Sequence, residues 1–172
     1  MLPLPIRVTL TVVVLIAAFT DLQSRRIPNW LTLPALPVGL LAQTLYGDGI
    51  WQGLLGALGG FLALFLLFAV GAGGAGDVKL FTVVGAFVGF RNLAAVFVLV
   101  AIIGGVAAVV VSLRAGALTR VLKNSFLIAA SFGRGRWTEF HQRSDMNRPG
   151  ALRLAYGAVI ALGALVFSWY PR

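Results

Sequence analysis

Apolar residues run along this chain in long stretches separated by short polar punctuation, at 3–20, 31–46, 52–70, 78–90, 93–113 and 151–168. A helix that spans lipid needs about 20 mostly apolar residues, and these stretches take up nearly the whole length. The pattern predicts an all-α membrane protein with about six transmembrane helices, forming one polytopic domain over 1–172 with no room for a soluble one. Composition agrees. Hydrophobic residues make up 59% of the chain and charged ones 11%, and the mean hydropathy is +0.95, whereas soluble domains carry about a quarter charged residues. Arg7 followed by the apolar run at 10–19 has the outline of a signal peptide. No clear small-x-small cleavage site follows, however, and the next apolar stretch begins at once, so the first stretch is read as a span.

The fourteen basic residues outweigh five acids, for a formal charge of +9. In a soluble protein that excess would suggest nucleic acid. Here the basic residues fall mostly between apolar stretches, which excludes nucleic acid as the expected partner and points to anionic lipid headgroups. Their distribution follows the parity of the loops. Arg25 and Arg26 lie in the first loop, Lys79 at the end of the third, and seven basic residues between 114 and 148; the second loop, at 47–51, has none and the fourth only Arg91. The positive-inside rule puts loops one, three and five in the cytoplasm and both termini outside. Within loop five the apolar piece at 126–132, flanked by basic residues, is either a segment lying on the membrane surface or a connector.

The chain has no cysteine, which removes disulfides, thiol nucleophiles and Cys-ligated zinc together. Its one histidine, His141, stands in a polar stretch and reads as solvated. Neither a metal nor a cofactor is expected.

Among the five acids, Asp48 in Gly47-Asp48-Gly49 reads as a turn residue, and Glu139 and Asp145 lie among arginines as solvated partners. Asp21 and Asp77 differ. Asp21 directly follows an apolar run. Asp77 follows the glycine-rich run 71–76 and precedes a stretch, 78–90, too short to cross alone. Extending that span back to Gly71 would set Asp77 about 9 Å along it, with a glycine-rich break before the acid. An ionised carboxylate near lipid costs roughly 2.5 kcal/mol or more on insertion, so a retained one is a functional candidate, and loop parity puts both at the same cytoplasmic depth. The bland alternative pairs Asp21 with Arg25 and Asp77 with Lys79.

Two carboxylates brought together share a proton and titrate as a pair. One can take a proton from a water that attacks a peptide carbonyl while the other protonates the carbonyl oxygen, the aspartic-peptidase arrangement. Gly71, Gly73, Gly74 and Gly76 allow a backbone to lie beside an acid without Cβ clashes. A phosphate-binding loop would need Gly-Lys-Ser/Thr where this chain has Gly76-Asp77-Val78. Gly56 and Gly60, and Gly85 and Gly89, have the spacing for close helix packing.

Asp21 followed by Arg25-Arg26-Ile27-Pro28-Asn29, with Gly74-Ala75-Gly76-Asp77-Val78-Lys79 some fifty residues on, resembles the two signature segments of the type IV prepilin peptidases. The Gly-x-Gly-Asp segment alone is shared with presenilin-like intramembrane proteases; the two segments together are specific. The resemblance covers roughly 5–113, with a fainter echo at Ala155-Tyr156-Gly157-Ala158-Val159-Ile160, where family members often have Pro-Tyr-Gly. It implies a membrane aspartic endopeptidase of the bacterial inner membrane that cuts the basic leader from a prepilin or pseudopilin at the cytoplasmic face. Asp21 and Asp77 would be the catalytic dyad, Gly74 and Gly76 the residues that admit the substrate backbone, and Lys79 a partner of Asp77. Ile27, Pro28 and Asn29 match the motif; proline forces Ile27 out of helix and Asn29 can cap the next one. Larger family members also N-methylate the product through a cytoplasmic domain with paired cysteines. Without cysteine, this chain resembles the short, peptidase-only form associated with tight-adherence pili.

Two other classes compete: a small proton- or ion-coupled transporter, which requires acids near the bilayer midplane and an internal repeat, and a structural subunit of a pilus or secretion machine, in which the acids would pair helices.

Overall fold

The structure, a computed structural model, describes residues 2–69, 73–114, 116 and 155–170. The apolar piece at 126–132, His141, Glu139, Asp145 and the basic residues from Arg120 to Arg148 therefore lie outside the described residues, as do Gly71 and Ala72 of the glycine-rich run. Among the described residues the chain is entirely helical: α1 Leu4–Ser24, α2 Asn29–Tyr46, α3 Ile50–Ala69, α4 Ala75–Val88, α5 Phe90–Arg114 and α6 Tyr156–Trp169. Three of them, α1, α3 and α5, are long and apolar enough to cross a membrane.

Local chemistry explains the boundaries. Pro5 near the start of α1 gives up an N–H that would be unpaired there anyway. The helix ends at Arg25, held in the left-handed region at φ 52°, with its N–H returned to the Asp21 carbonyl. Pro28 then occupies the N-cap of α2 in extended conformation, as expected of a residue that stops a helix from running through it. Gly89 closes α4 at φ 74°, a conformation costly for other residues, and α5 starts at the next residue.

The short α4 solves the length problem by its position. It packs against all five other helices, and every residue from Phe81 to Val88 except Thr82 is buried. An apolar helix surrounded by protein need not itself match the bilayer thickness. Its closest partner is α3. A Cβ on Gly85 would run into the Gly56 carbonyl oxygen, a Cβ on Gly56 into that of Gly85, and one on Gly60 would come within 2.6 Å of the Phe81 carbonyl. Such backbone-to-backbone approach is how helices gain dispersion energy where lipid removes the hydrophobic drive. Gly89 belongs to a different contact: a Cβ there would meet Gln43 Nε2 at 2.6 Å, so its place in the four-residue glycine spacing serves the turn and a side chain of α2.

The helices gather the loops into two ends. At one end, Arg91 reaches Asp48 at 3.8 Å and its N–H donates to Gln52 Oε1, bringing loops two and four together. Nearby on that end Arg7 lies 5.3 Å from the Trp169 ring, whose Nε1 donates to Thr11. At the other end the chain from α1 to α2, the start of α4 and the start of α6 converge, and both acids singled out in the sequence are there.

Candidate active site

Asp21 occupies the last full turn of α1. Although it is acidic and close to the helix end, it is 6% exposed. Burial of a carboxylate requires hydrogen-bond donors, and one comes from the far end of the chain: the Gly157 N–H donates to Asp21 Oδ2 at 2.8 Å. Gly157 is the second residue of α6, where amides have no intrahelical acceptor. A side chain at this approach would force its neighbours aside. A Cβ on Gly157 would sit 2.8 Å from Asp21 Oδ2 and 2.9 Å from Ile27 Cδ1.

Asp77 is the third residue of α4, with Gly74 at the N-cap. Its carboxylate folds back so that the Gly74 N–H donates to Oδ2 at 3.1 Å, half of a capping box. The helix starts at Ala75, so Asp77 lies in its first turn, one turn nearer the helix end than a span begun at Gly71 would place it. Glycine is the poorest helix former after proline, and the acid itself supplies the cap that fixes the start. Gly74 and Gly76 have visible duties here. A Cβ on Gly74 would lie 2.9 Å from Asp77 Oδ2, and one on Gly76 would lie 3.3 Å from Ile27 Cβ.

Ile27, itself buried, therefore touches both halves of the site, Gly76 beside one acid and Gly157 beside the other. The two carboxylates are close enough for their charges to act on each other. Tyr156, the first residue of α6, is likewise within electrostatic reach of Asp77, and its ring packs toward Gly104 of α5.

Three readings of the sequence are corrected. Lys79 does not pair with Asp77; its Nζ donates to Asn29 Oδ1 at 2.8 Å. Lys79 stands two residues after Asp77 in α4, and residues two apart on a helix do not face each other. Asn29 in turn does not cap α2, because Pro28 holds the N-cap and no side-chain cap bond is made; the amide is taken up by the lysine. Nor does Arg25 neutralise Asp21: among the described residues the ion pair formed is Arg91–Asp48. The structure brings Asp21, Ile27, Asn29, Gly76, Asp77 and Lys79 to one end of the bundle, and it adds Gly157, whose backbone amide leaves no mark in a sequence beyond the faint motif echo around it. A cavity lined by Gln43, Asp48 and Asn92 lies at the opposite end.

The site has no group of three metal-ligating side chains among the described residues. Its chemistry is that of two buried or half-buried acids, each holding one backbone amide, with one carboxylate oxygen apiece not engaged by those bonds.

The sequence profile of the type IV leader peptidase family matches residues 8–109, a stretch that contains both acids. The prepilin leader peptidase/N-methyltransferase of Bacillus subtilis (strain 168) is 40% identical over 93 residues, covering 52% of this chain and 38% of its own length. That of Aeromonas hydrophila is 36% identical over 103 residues, covering 55% of this chain and 36% of its own. The chain thus aligns with little more than a third of the curated relatives it matches. No solved structure gives a significant match.

Proposed function

The chain belongs to the type IV leader peptidase family, and on that footing we propose that it is a membrane aspartic endopeptidase that removes the basic leader of a prepilin or pseudopilin, with Asp21 and Asp77 as the dyad. The observation that carries this reading is that the two acids, 56 positions apart in sequence, lie at one end of the bundle within electrostatic reach of each other, each with its carboxylate held by a backbone amide.

In the proposed reaction the ionised carboxylate removes a proton from water as its oxygen adds to the scissile carbonyl carbon, and the protonated carboxyl delivers its proton to the carbonyl oxygen. The resulting diol collapses with cleavage of the C–N bond. One diol proton returns to the acid that gave one up, and the other carboxyl protonates the leaving amine, so the pair ends as it began. Neither a metal nor a cofactor takes part in the scheme.

The position of the acids supports this over an ion-coupled transporter, which would hold its acids near the midplane; here they lie in the last turn of one helix and the first turn of another. The distribution of basic residues supports a cytoplasmic dyad in a bacterial inner membrane whose anionic lipids meet the basic loops. The absence of cysteine from this sequence supports cleavage without N-methylation, as in the short peptidase-only members serving tight-adherence pili.

The test is co-expression with a prepilin of the same organism. The precursor should be converted to a shorter product whose mass corresponds to the free, unmethylated N-terminus. Persistence of full-length prepilin at normal membrane levels of this chain would reject the proposal.

A further inference from the structure

The two acids of the site are not held alike. Asp77 accepts its amide from Gly74, three residues earlier in its own chain segment; that bond is local and would form in any α4 that starts at Ala75. Asp21 accepts its amide from Gly157, 136 residues away, at the N-terminus of a separate helix. Both acids thus meet a helix N-terminus, Asp77 that of its own α4 and Asp21 that of α6. Asp21 is also the more deeply enclosed acid, so its charge is the one that most needs such a partner.

Resting on the peptidase reading above, we infer that the N-terminus of α6, through the Gly157 amide, fixes the Asp21 carboxylate and aims its free oxygen at the reacting groups, so that the geometry of the dyad depends on a helix distant in sequence. Gly157 is then a positioning residue: it acts on the reaction through Asp21. A Cβ at this position would press on the carboxylate and displace it from the amide. Among the described residues the other charged and titratable groups around Asp21 are few. Asp77 and Lys79 come from α4, the latter engaged by Asn29; Tyr156 comes from α6; Arg25 and Arg26 follow at the end of α1; the near end of α2 brings none. Within this set the Gly157 amide is the donor that Asp21 uses.

The experiment is the pH dependence of prepilin cleavage by the full chain in membranes carrying Gly157→Ala. Loss of the amide contact should lower kcat by about 10- to 100-fold, the worth of a hydrogen bond to a charged group, with KM little changed. It should also displace the acidic limb of the profile, because a carboxylate of the coupled pair has lost its donor. The double variant Gly157→Ala/Ile27→Ala, which removes the contact with Ile27 and leaves the one with the carboxylate, should retain that displaced limb. Gly163→Ala on the same helix presses on Val100 and measures loss of packing; it should leave the limb in place. An unmoved limb in Gly157→Ala, a moved limb in Gly163→Ala, or disappearance of both Gly157 variants from the membrane would overturn the inference. The peptidase reading stands or falls separately, on cleavage by the parent chain.

Discussion

Lys79 donates to Asn29 at 2.8 Å, tying together two signature segments that lie fifty residues apart. The pair fastens the start of α2 to the first turns of α4, next to the helix turn that carries Asp77. The bond is exposed, so its net worth is modest, about 1 kcal/mol. Lys79→Met and Asn29→Ala should each reduce cleavage by a few-fold, and the double variant should cost no more than the larger single one, the signature of a shared contact. Additive losses would show that the two side chains act independently.

The crossing of α3 and α4 sets the frame of the site. Gly85→Ala would drive a methyl group into the Gly56 carbonyl, and overpacking of this kind costs about 1–3 kcal/mol. Thermal unfolding of the purified protein in detergent should drop measurably for Gly85→Ala. Gly105→Ala, where a Cβ meets nothing within 4 Å, should not lower it. Equal melting of both variants would place the α3–α4 contact elsewhere.

Much of this architecture was legible in apolar stretches alone: all six described helices begin or end within a few residues of those runs, and the acid bordering each of two runs marked the candidate site. The central place of α4 was not, because apolar side chains facing protein and apolar side chains facing lipid read alike in sequence. The partner of Lys79 escaped for a different reason. Proximity in sequence suggested Asp77, but helical periodicity turns residues two apart away from each other. Gly157 was the least visible of all, since its contribution is a backbone N–H that every residue but proline possesses, and only the fold shows which one reaches Asp21.

The proposed sidedness rests on the basic residues and can be measured directly, because the sequence has no native cysteine. A single cysteine at Gly49, on the end shared by loops two and four, should react with an impermeant thiol reagent in intact cells, and one at Ser24 should react only after the membrane is opened. The reverse pattern would put the two acids outside and remove a cytoplasmic leader as substrate.

Two acids sharing a proton make activity depend on pH on both sides. Cleavage should trace a bell, falling at low pH as the base is protonated and at high pH as the acid loses its proton, with both limbs belonging to the pair. A rate that rises with pH and then stays level would indicate one general base without a partner acid.

The central claim, that Asp21 and Asp77 carry the two proton transfers, is tested most directly by replacing each with its isosteric amide and following prepilin cleavage in the membrane. Asparagine keeps the shape and can hydrogen-bond, but it cannot exchange a proton at neutral pH. Asp21→Asn and Asp77→Asn should each lower the cleavage rate by at least about 100-fold at parental membrane levels, while Asp48→Asn, at the opposite end of the bundle, should cut as the parent does. Cleavage near the parental rate by either dyad variant, in protein present at normal amounts, would contradict the account.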